Sequence, residues 1–202
     1  MTLGVAADPS GTPAASAGNL AVDGGNWSVK DLNIVSGAAT VTNSTLTVTG
    51  TLTTTAGAGD TDPAAGSITA DASTIDSLGS GKLAIAKGGV TLKNTAELHI
   101  DATDIFQEGK KTLDNTKVAS GSLVGGSNTV LVIKDANGQD LSLTQAEFKA
   151  LKEANTGFKG LYKVNISDLQ APSGPVELGN VEGNNTSDVY EKTTVTVTDG
   201  AA

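Results

Sequence analysis

The strongest constraint on this chain is a short apolar pair that keeps returning. From Leu20 onward the pairs are Leu20/Val22, Trp27/Val29, Leu32/Ile34, Ala39/Val41 and Leu46/Val48, then Leu52. Turn formers separate them: Asp23-Gly24-Gly25, Ser36-Gly37, Asn43-Ser44 and Gly50. Brief alternation cut by Gly, Asn or Asp is the pattern of short strands with one buried face. The tight spacing leaves no room for helices between strands. It also leaves little room for the longer strands of a β-sandwich. After the small, acidic, Pro-containing stretch Thr55–Gly66, the pattern resumes with Ile68/Ala70, Ile75/Leu78, Leu83/Ile85, Val90/Leu92 and Leu98/Ile100.

Two stretches repeat each other. Val41-Thr-Asn43-Ser-Thr-Leu46-Thr-Val48 aligns with Leu92-Lys-Asn94-Thr-Ala-Glu-Leu98-His-Ile100, with one insertion. A weak repeat of this type is what stacked β-solenoid coils leave in a sequence. Asn suits the corner of such a coil because it tolerates the left-handed conformation, and its amide can bond to an Asn in the next coil. Composition agrees: aromatics are 3% of the chain and apolar residues 38%. A thin core repeated along an axis is filled by Val, Leu, Ile and Ala. The expected fold is all-β, a β-solenoid, with an antiparallel β-sandwich as the alternative.

Residues 112–170 depart from the pattern. Asn128–Ile133 reads as a longer strand, followed by Asn137-Gly138 and then Leu141-Ser-Leu143. Asn-Gly between apolar runs predicts a type I′ hairpin. Thr144 with Glu147 predicts a capping box, and Leu143 with Phe148 a hydrophobic staple. The helix buries Phe148, Leu151 and Ala154 and ends at Asn155-Thr-Gly157; Leu161–Leu169 is the next strand. Phe148, Phe158 and Tyr162 fall here, half of the six aromatics. The segment is expected as a small β-β-α-β insertion with its own core. The predicted organisation is a flexible lead over 1–18, solenoid coils over 19–111, the insertion over 112–170, and a further, truncated coil over 171–202.

The segments Ser44–Thr53, Gly81–Leu92 and Thr194–Ala202 are similar in style to passenger domains of bacterial autotransporters and haemagglutinin-type adhesins. The resemblance covers residues 20–100 and the tail from 191. It implies a right-handed parallel β-helix, secreted or held at the bacterial cell surface as part of a longer passenger. It further implies a structural or adhesive role, with a host or cell-surface glycan or protein, or self-association, as the partner. A carbohydrate-active enzyme on the same scaffold and an S-layer or fibre module are the alternatives.

Charge and residue usage exclude several classes. The net charge is -9, all 13 basic residues are lysine, and there is no cysteine. Nucleic acid is disfavoured because phosphate binding needs clustered Lys and Arg, and here only Lys110 and Lys111 adjoin. No apolar run reaches the length of a membrane helix, so no membrane insertion by this segment is expected. Residues 1–19 have neither the charged n-region nor the apolar h-region of a signal peptide. The single histidine, His99, sits between Leu98 and Ile100 and is expected on the solvent face, which leaves no nucleophile–histidine pair. Zinc lacks its usual Cys and His partners. Calcium needs only oxygens, and Asp60/Asp62, Asp101/Asp104 and Asp135-Ala-Asn137-Gly138-Gln-Asp140 are the candidates for it. The last of these reads better as a hairpin. The glycine doublets at 24–25, 88–89 and 125–126 precede no helix and carry no phosphate-loop lysine. Trp27 reads equally as a core filler or a sugar platform. The alternating Thr40–Thr51 series reads as strand propensity on a solvent face rather than as an ice-binding array. The N-x-[ST] triplets at Asn26, Asn43, Asn165, Asn184 and Asn185 are expected by chance. No catalytic, cofactor or metal residue is assigned, and the chain is expected not to be an enzyme.

Overall fold

The computed structural model describes residues 1–4, 17–56, 65–79 and 82–168. Of these, 51% are strand and 10% helix. In chain order the strands are β1 Thr2–Leu3, β2 Gly18–Val29, β3 Leu32–Ile34, β4 Gly37–Val48, β5 Thr51–Thr54, β6 Gly66–Asp71, β7 Thr74–Asp76, β8 Lys82–Ala84, β9 Val90–Lys93 and β10 Glu97–Asp101. After the one-turn helix α1 Ala102–Ile105 come β11 Leu123–Gly125, β12 Val130–Lys134 and β13 Ser142–Leu143. Helix α2 Gln145–Ala154 precedes β14 Leu161–Lys163 and β15 Asn165–Ile166.

Every ladder among the described residues is parallel. One sheet runs β1-β3-β5-β8. The larger sheet, curled like a half-barrel, is centred on β4. β2 pairs β4 along its whole length, β6 takes the Gly37–Thr42 half on the other side, and β7 takes Thr45–Thr47. From β6 the sheet continues to β9 and β11; from β7 it continues to β10, β12 and β14. A third pair joins β13 to β15. Antiparallel contact is confined to the isolated bridges Phe106–Leu113 and Lys134–Asp140. The sandwich alternative required antiparallel ladders and is therefore overturned.

The register stacks like residues on like. One inward column is Leu20-Ala39-Ile68-Val90-Leu123, and another is Trp27-Leu46-Ile75-Leu98-Leu131-Tyr162. Leu32, Leu52 and Leu83 form a third. Apart from the exposed Trp27 and the half-buried Leu20, these residues pack as one buried cluster. Fully burying such a side chain contributes roughly 1.5–3 kcal/mol, and the slim layers need no larger ones. One pair differs from expectation: Ser77, not Leu78, takes the buried position beyond Ile75, and Leu78 is half-buried. Only Ser77 keeps the period of two that strand geometry imposes.

Between the β4–β6–β9 half and the β7–β10 half the chain turns a corner. Register aligns Gly24, Asn43, Ala72 and Asn94 there, with φ of 71°, 46°, 48° and 55°. The expected left-handed Asn corner is thus present in both repeats. The expected Asn-to-Asn ladder is not, because Ala72 stands between Asn43 and Asn94. The Asn94 amide instead donates to the Asp71 carboxylate. The insertion in the second repeat is taken up at the corner itself: two residues, Ala72-Ser73, become three, Asn94-Thr95-Ala96, before the ladders resume.

Several expectations for the lead and for 112–170 are corrected. Thr2–Leu3 pairs with Asn33–Ile34 and Leu3 is buried, so the lead begins as strand; the rest of it, residues 5–16, lies outside the described residues. β12 and β14 extend the parallel ladder from β10, because their inward residues continue its columns. Phe148, Phe158 and Tyr162 belong to the common core cluster rather than to a core of their own. The Asn137-Gly138 turn makes one antiparallel bridge, and only Gly138 takes positive φ (75°), so the turn is not type I′. Asp135 explains this: its carboxylate accepts from the Asn137 and Gln139 amides at 2.8 and 2.9 Å, a local bonding pattern that competes with the hairpin. Helix α2 has the expected capping box. Thr144 Oγ1 accepts from Glu147 N at 3.2 Å, and Glu147 Oε2 accepts from Thr144 N at 2.7 Å. The strand expected over 161–169 is two short strands flanking the buried Val164. Residues 171–202 lie outside the described residues.

Candidate functional site

The polar residues singled out by sequence fall on different faces. His99 lies between the fully buried Leu98 and Ile100, on the side away from the core, and its Nε2 is 2.9 Å from Glu97 Oε2. Register places Asp76 beside it on β7 and Val132 on β12. The ring's partner is thus a carboxylate two residues away on the same strand.

The acidic groups weighed for calcium are largely engaged locally. Asp135 caps its own turn, and Asp140 forms an ion pair with Lys134 at 2.6 Å. Asp101 accepts from the Gly79 amide, and Asp104 is buried in α1. Among the described residues no three His, Asp or Glu side chains converge on a point that could hold a metal ion. Asp60 and Asp62 lie outside the described residues.

Backbone amides hold several carboxyls below their usual range. The Thr51 amide does so for Asp31, and the Gln139 and Asn137 amides for Asp135. The Thr116 hydroxyl and amide act on Asp114, and the Thr144 amide acts on Glu147. In each case hydrogen bonding to the charged form is the leading cause. These are turn and cap bonds rather than a tuned pair of carboxyls.

Two surface depressions stand out, one on the sheet and one beside α1. One follows the corner and is lined by Asn26, Asn43, Thr45 and Thr74 above the buried Ser44 and Ser73. Ser44 N donates to Ser73 Oγ at 3.0 Å, and Ser73 Oγ donates to Asp71 O at 2.7 Å. The other is floored by Phe106 and Leu141 and rimmed by Lys110, Lys111 and Lys117. Lys110 and Lys111 adjoin in the chain, whereas Lys117 joins them only through the fold. Lys117 Nζ donates to the Thr103 and Phe106 carbonyls at 2.8 and 3.2 Å, closing the end of α1. Lys111 Nζ donates to the Ser142 carbonyl and lies 3.6 Å from Glu147. Most of this positive charge therefore serves the fold.

Trp27 is neither buried filler nor part of a groove with other aromatics. It is 51% exposed on β2, with Nε1 donating to Gly24 O at 2.8 Å. Three other aromatics pack edge-to-face in the core: Tyr162 lies 5.5 Å from Phe148 and 5.1 Å from Phe158. Sequence reading gave no sign of the buried, unbonded polar atoms Ser122 Oγ and Asn155 Oδ1. Of the N-x-[ST] positions, Asn26 and Asn43 are exposed at the corner and Asn165 donates to Asp140 O. Asn184 and Asn185 lie outside the described residues.

The described residues define a class: a β-rich fold of parallel ladders whose outward side chains form columns along the strand faces. No family model matches the chain, and no curated protein or solved structure is similar to it at a significant level.

Proposed function

We propose that the parallel ladders are successive coils of a right-handed parallel β-helix. On this reading the chain is a non-catalytic structural or adhesive segment of a longer autotransporter-type passenger, secreted or held at a bacterial cell surface. The observation that carries the reading is the register. From β2 to β10 the chain visits the same three strand positions in the same order. Each return pairs in parallel with the previous visit, with Leu20, Ala39, Ile68, Val90 and Leu123 one above another. Short connections between parallel strands, without a crossover helix at each return, suit coils of one solenoid better than βαβ units.

The functional part rests on what the outward columns offer. Ala21-Thr40-Thr69-Thr91-Val124 and Ser28-Thr47-Asp76-His99 are regular, mostly polar rows on strand faces. Such rows suit contact with an extended glycan or protein surface, and they place no nucleophile against a base. The test has two arms. Fused ahead of a translocating membrane β-barrel, the chain should reach the cell surface and resist protease there. Incubated with a panel of polysaccharides, it should turn none over. Turnover of any glycan, abolished by one carboxylate substitution, overturns the non-catalytic reading.

A further inference from the structure

The turn between β12 and β13 carries the one Asn-Gly pair in the sequence, Asn137-Gly138. Both residues are exposed, as are Ala136 and Gln139 beside them. Gly138 has φ of 75°, and a β-carbon added there would meet nothing within 4 Å. Asn137 is held through its backbone N–H, which donates to the Asp135 carboxylate; among the described residues no bond holds its side-chain amide. Other asparagines differ on both counts. Each is followed by a residue with a β-carbon. The Asn94 and Asn165 amides donate to Asp71 and to Asp140 O, and Asn155 is buried. The backbone nitrogen after Asn43 is bonded to Ser73 Oγ, and the one after Asn115 to Asp114.

A backbone nitrogen that follows asparagine lies within reach of that residue's own side-chain carbonyl carbon. When it attacks, the nitrogen gives its proton to water, a C–N bond forms, and the side-chain nitrogen leaves as ammonia. Water then opens the cyclic imide at either carbonyl, which gives aspartate or isoaspartate. Water enters and ammonia leaves, so no oxidant or cofactor takes part. Glycine favours the attack because no β-carbon crowds the nitrogen. We infer that Asn137 is a self-modifying site, converted to aspartate and isoaspartate through the Gly138 nitrogen, and that the Asp135 side chain sets the rate. Gly138 N donates to Asp135 O at 3.0 Å, and the Asp135 carboxylate accepts from the Asn137 and Gln139 amides at 2.8 and 2.9 Å. While those bonds persist, the attacking N–H points at Asp135 O and not at the Asn137 side chain. Conversion therefore waits on local opening of an exposed turn, which needs far less free energy than global unfolding. It adds a carboxylate to a turn that already holds Asp135 and Asp140. Isoaspartate also lengthens the backbone inside the turn that sets Lys134 opposite Asp140. The inference stands on this turn alone and does not depend on the adhesive role.

Peptide mapping by mass spectrometry tests it on the folded chain, incubated for days at mildly alkaline pH. Asn137 should convert ahead of every other described asparagine, with both products present and ammonia released in step. Asp135→Ala removes the acceptor of two amides and should speed conversion about tenfold. Asp135→Asn keeps an acceptor oxygen and should stay within about threefold of the wild type. Asn137→Gln should end the conversion, and circular dichroism checks that each variant is folded. An Asn137 that stays intact, or that converts after another described asparagine, overturns the inference. An Asp135→Ala chain that converts at the wild-type rate overturns the part given to Asp135.

Discussion

Ala72 holds a backbone conformation that its side chain opposes. Its φ of 48° falls in the left-handed region, at the corner position filled by Gly24, Asn43 and Asn94 elsewhere in the stack. For a residue with a β-carbon that conformation costs roughly 1–2 kcal/mol. The Ala72 side chain is exposed, so removing its methyl group sacrifices no packing. Ala72→Gly relieves the clash but gives the unfolded chain more freedom, which costs about 0.4–1 kcal/mol. The net expectation is a gain of about 0.5–1 kcal/mol, which corresponds to a Tm rise of roughly 1–4 °C for a chain of this size. Ala72→Asn should gain a similar amount without the glycine cost, and it would place an amide between Asn43 and Asn94. Urea titration reads the effect as a shift in midpoint at constant slope. The reciprocal changes Asn43→Ala and Asn94→Ala should both destabilise. Asn94→Ala should cost more, because it also removes the bond to Asp71. If Ala72→Gly destabilises while Asn43→Ala is harmless, the corner is not left-handed and the alignment of the repeats fails with it.

Other expectations follow from the same geometry. Ser73→Ala leaves the Ser44 amide, bonded to Ser73 Oγ at 3.0 Å in a buried corner, without its partner; thermal melts should show a loss of about 1–3 kcal/mol, and an unchanged Tm would refute this bond. Gly66 begins β6 where an added β-carbon would lie 1.9 Å from the Ile34 carbonyl oxygen; Gly66→Ala should cost at least roughly 3 kcal/mol, and a variant as stable as wild type would show that the strands are farther apart. Tyr162 is buried with its hydroxyl toward the buried Asn155 side chain; Tyr162→Phe removes at most one weak bond and should cost no more than about 1 kcal/mol, whereas Tyr162→Ala should lose roughly 3–5 kcal/mol, and a Phe variant that loses as much as the Ala variant would refute this. Asp31, Asp114 and Asp135 are held below their ordinary 3.8 and Glu147 below 4.5. Their contribution is complete above those values and is lost as pH falls through the lower folded-state values; a Tm that stays flat from neutral pH to well below 3.8 would refute it.

The periodic part of the fold was legible because strand geometry writes itself into sequence every second residue. Ala39/Val41, Leu46/Val48 and Leu98/Ile100 need only that period to be placed inward. The two Asn corners were legible because few other residues enter the left-handed region at low cost. Ala72 hid the third corner: alanine carries no turn signal, and the backbone there is set by its neighbours in the stack. The Asn137-Gly138 turn misled for a related reason, since the Asp135 carboxylate captures its amides before a type I′ turn can form. The 112–170 stretch read as separate because aromatics and a well-capped helix are foreign to the earlier pattern. Its β12 and β14 nonetheless continue the columns of β10. Side-chain size does not decide which ladder a strand joins when its inward positions already match.

The outward face was legible only in part, and the cause is physical. Inward positions are constrained on every side by packing, so their residue types report their location. Outward positions are constrained by little beyond strand propensity, and Thr satisfies that wherever it falls. Position along the stack then decides what a side chain can do. Trp27 and Leu46 occupy one column, yet one is 51% exposed and the other 1%. The difference lies in the bonding neighbour that β4 has on its far side and β2, among the described residues, lacks. An inward residue on the first layer is therefore core by pattern and surface by environment. A surface of that kind has the composition of an interior.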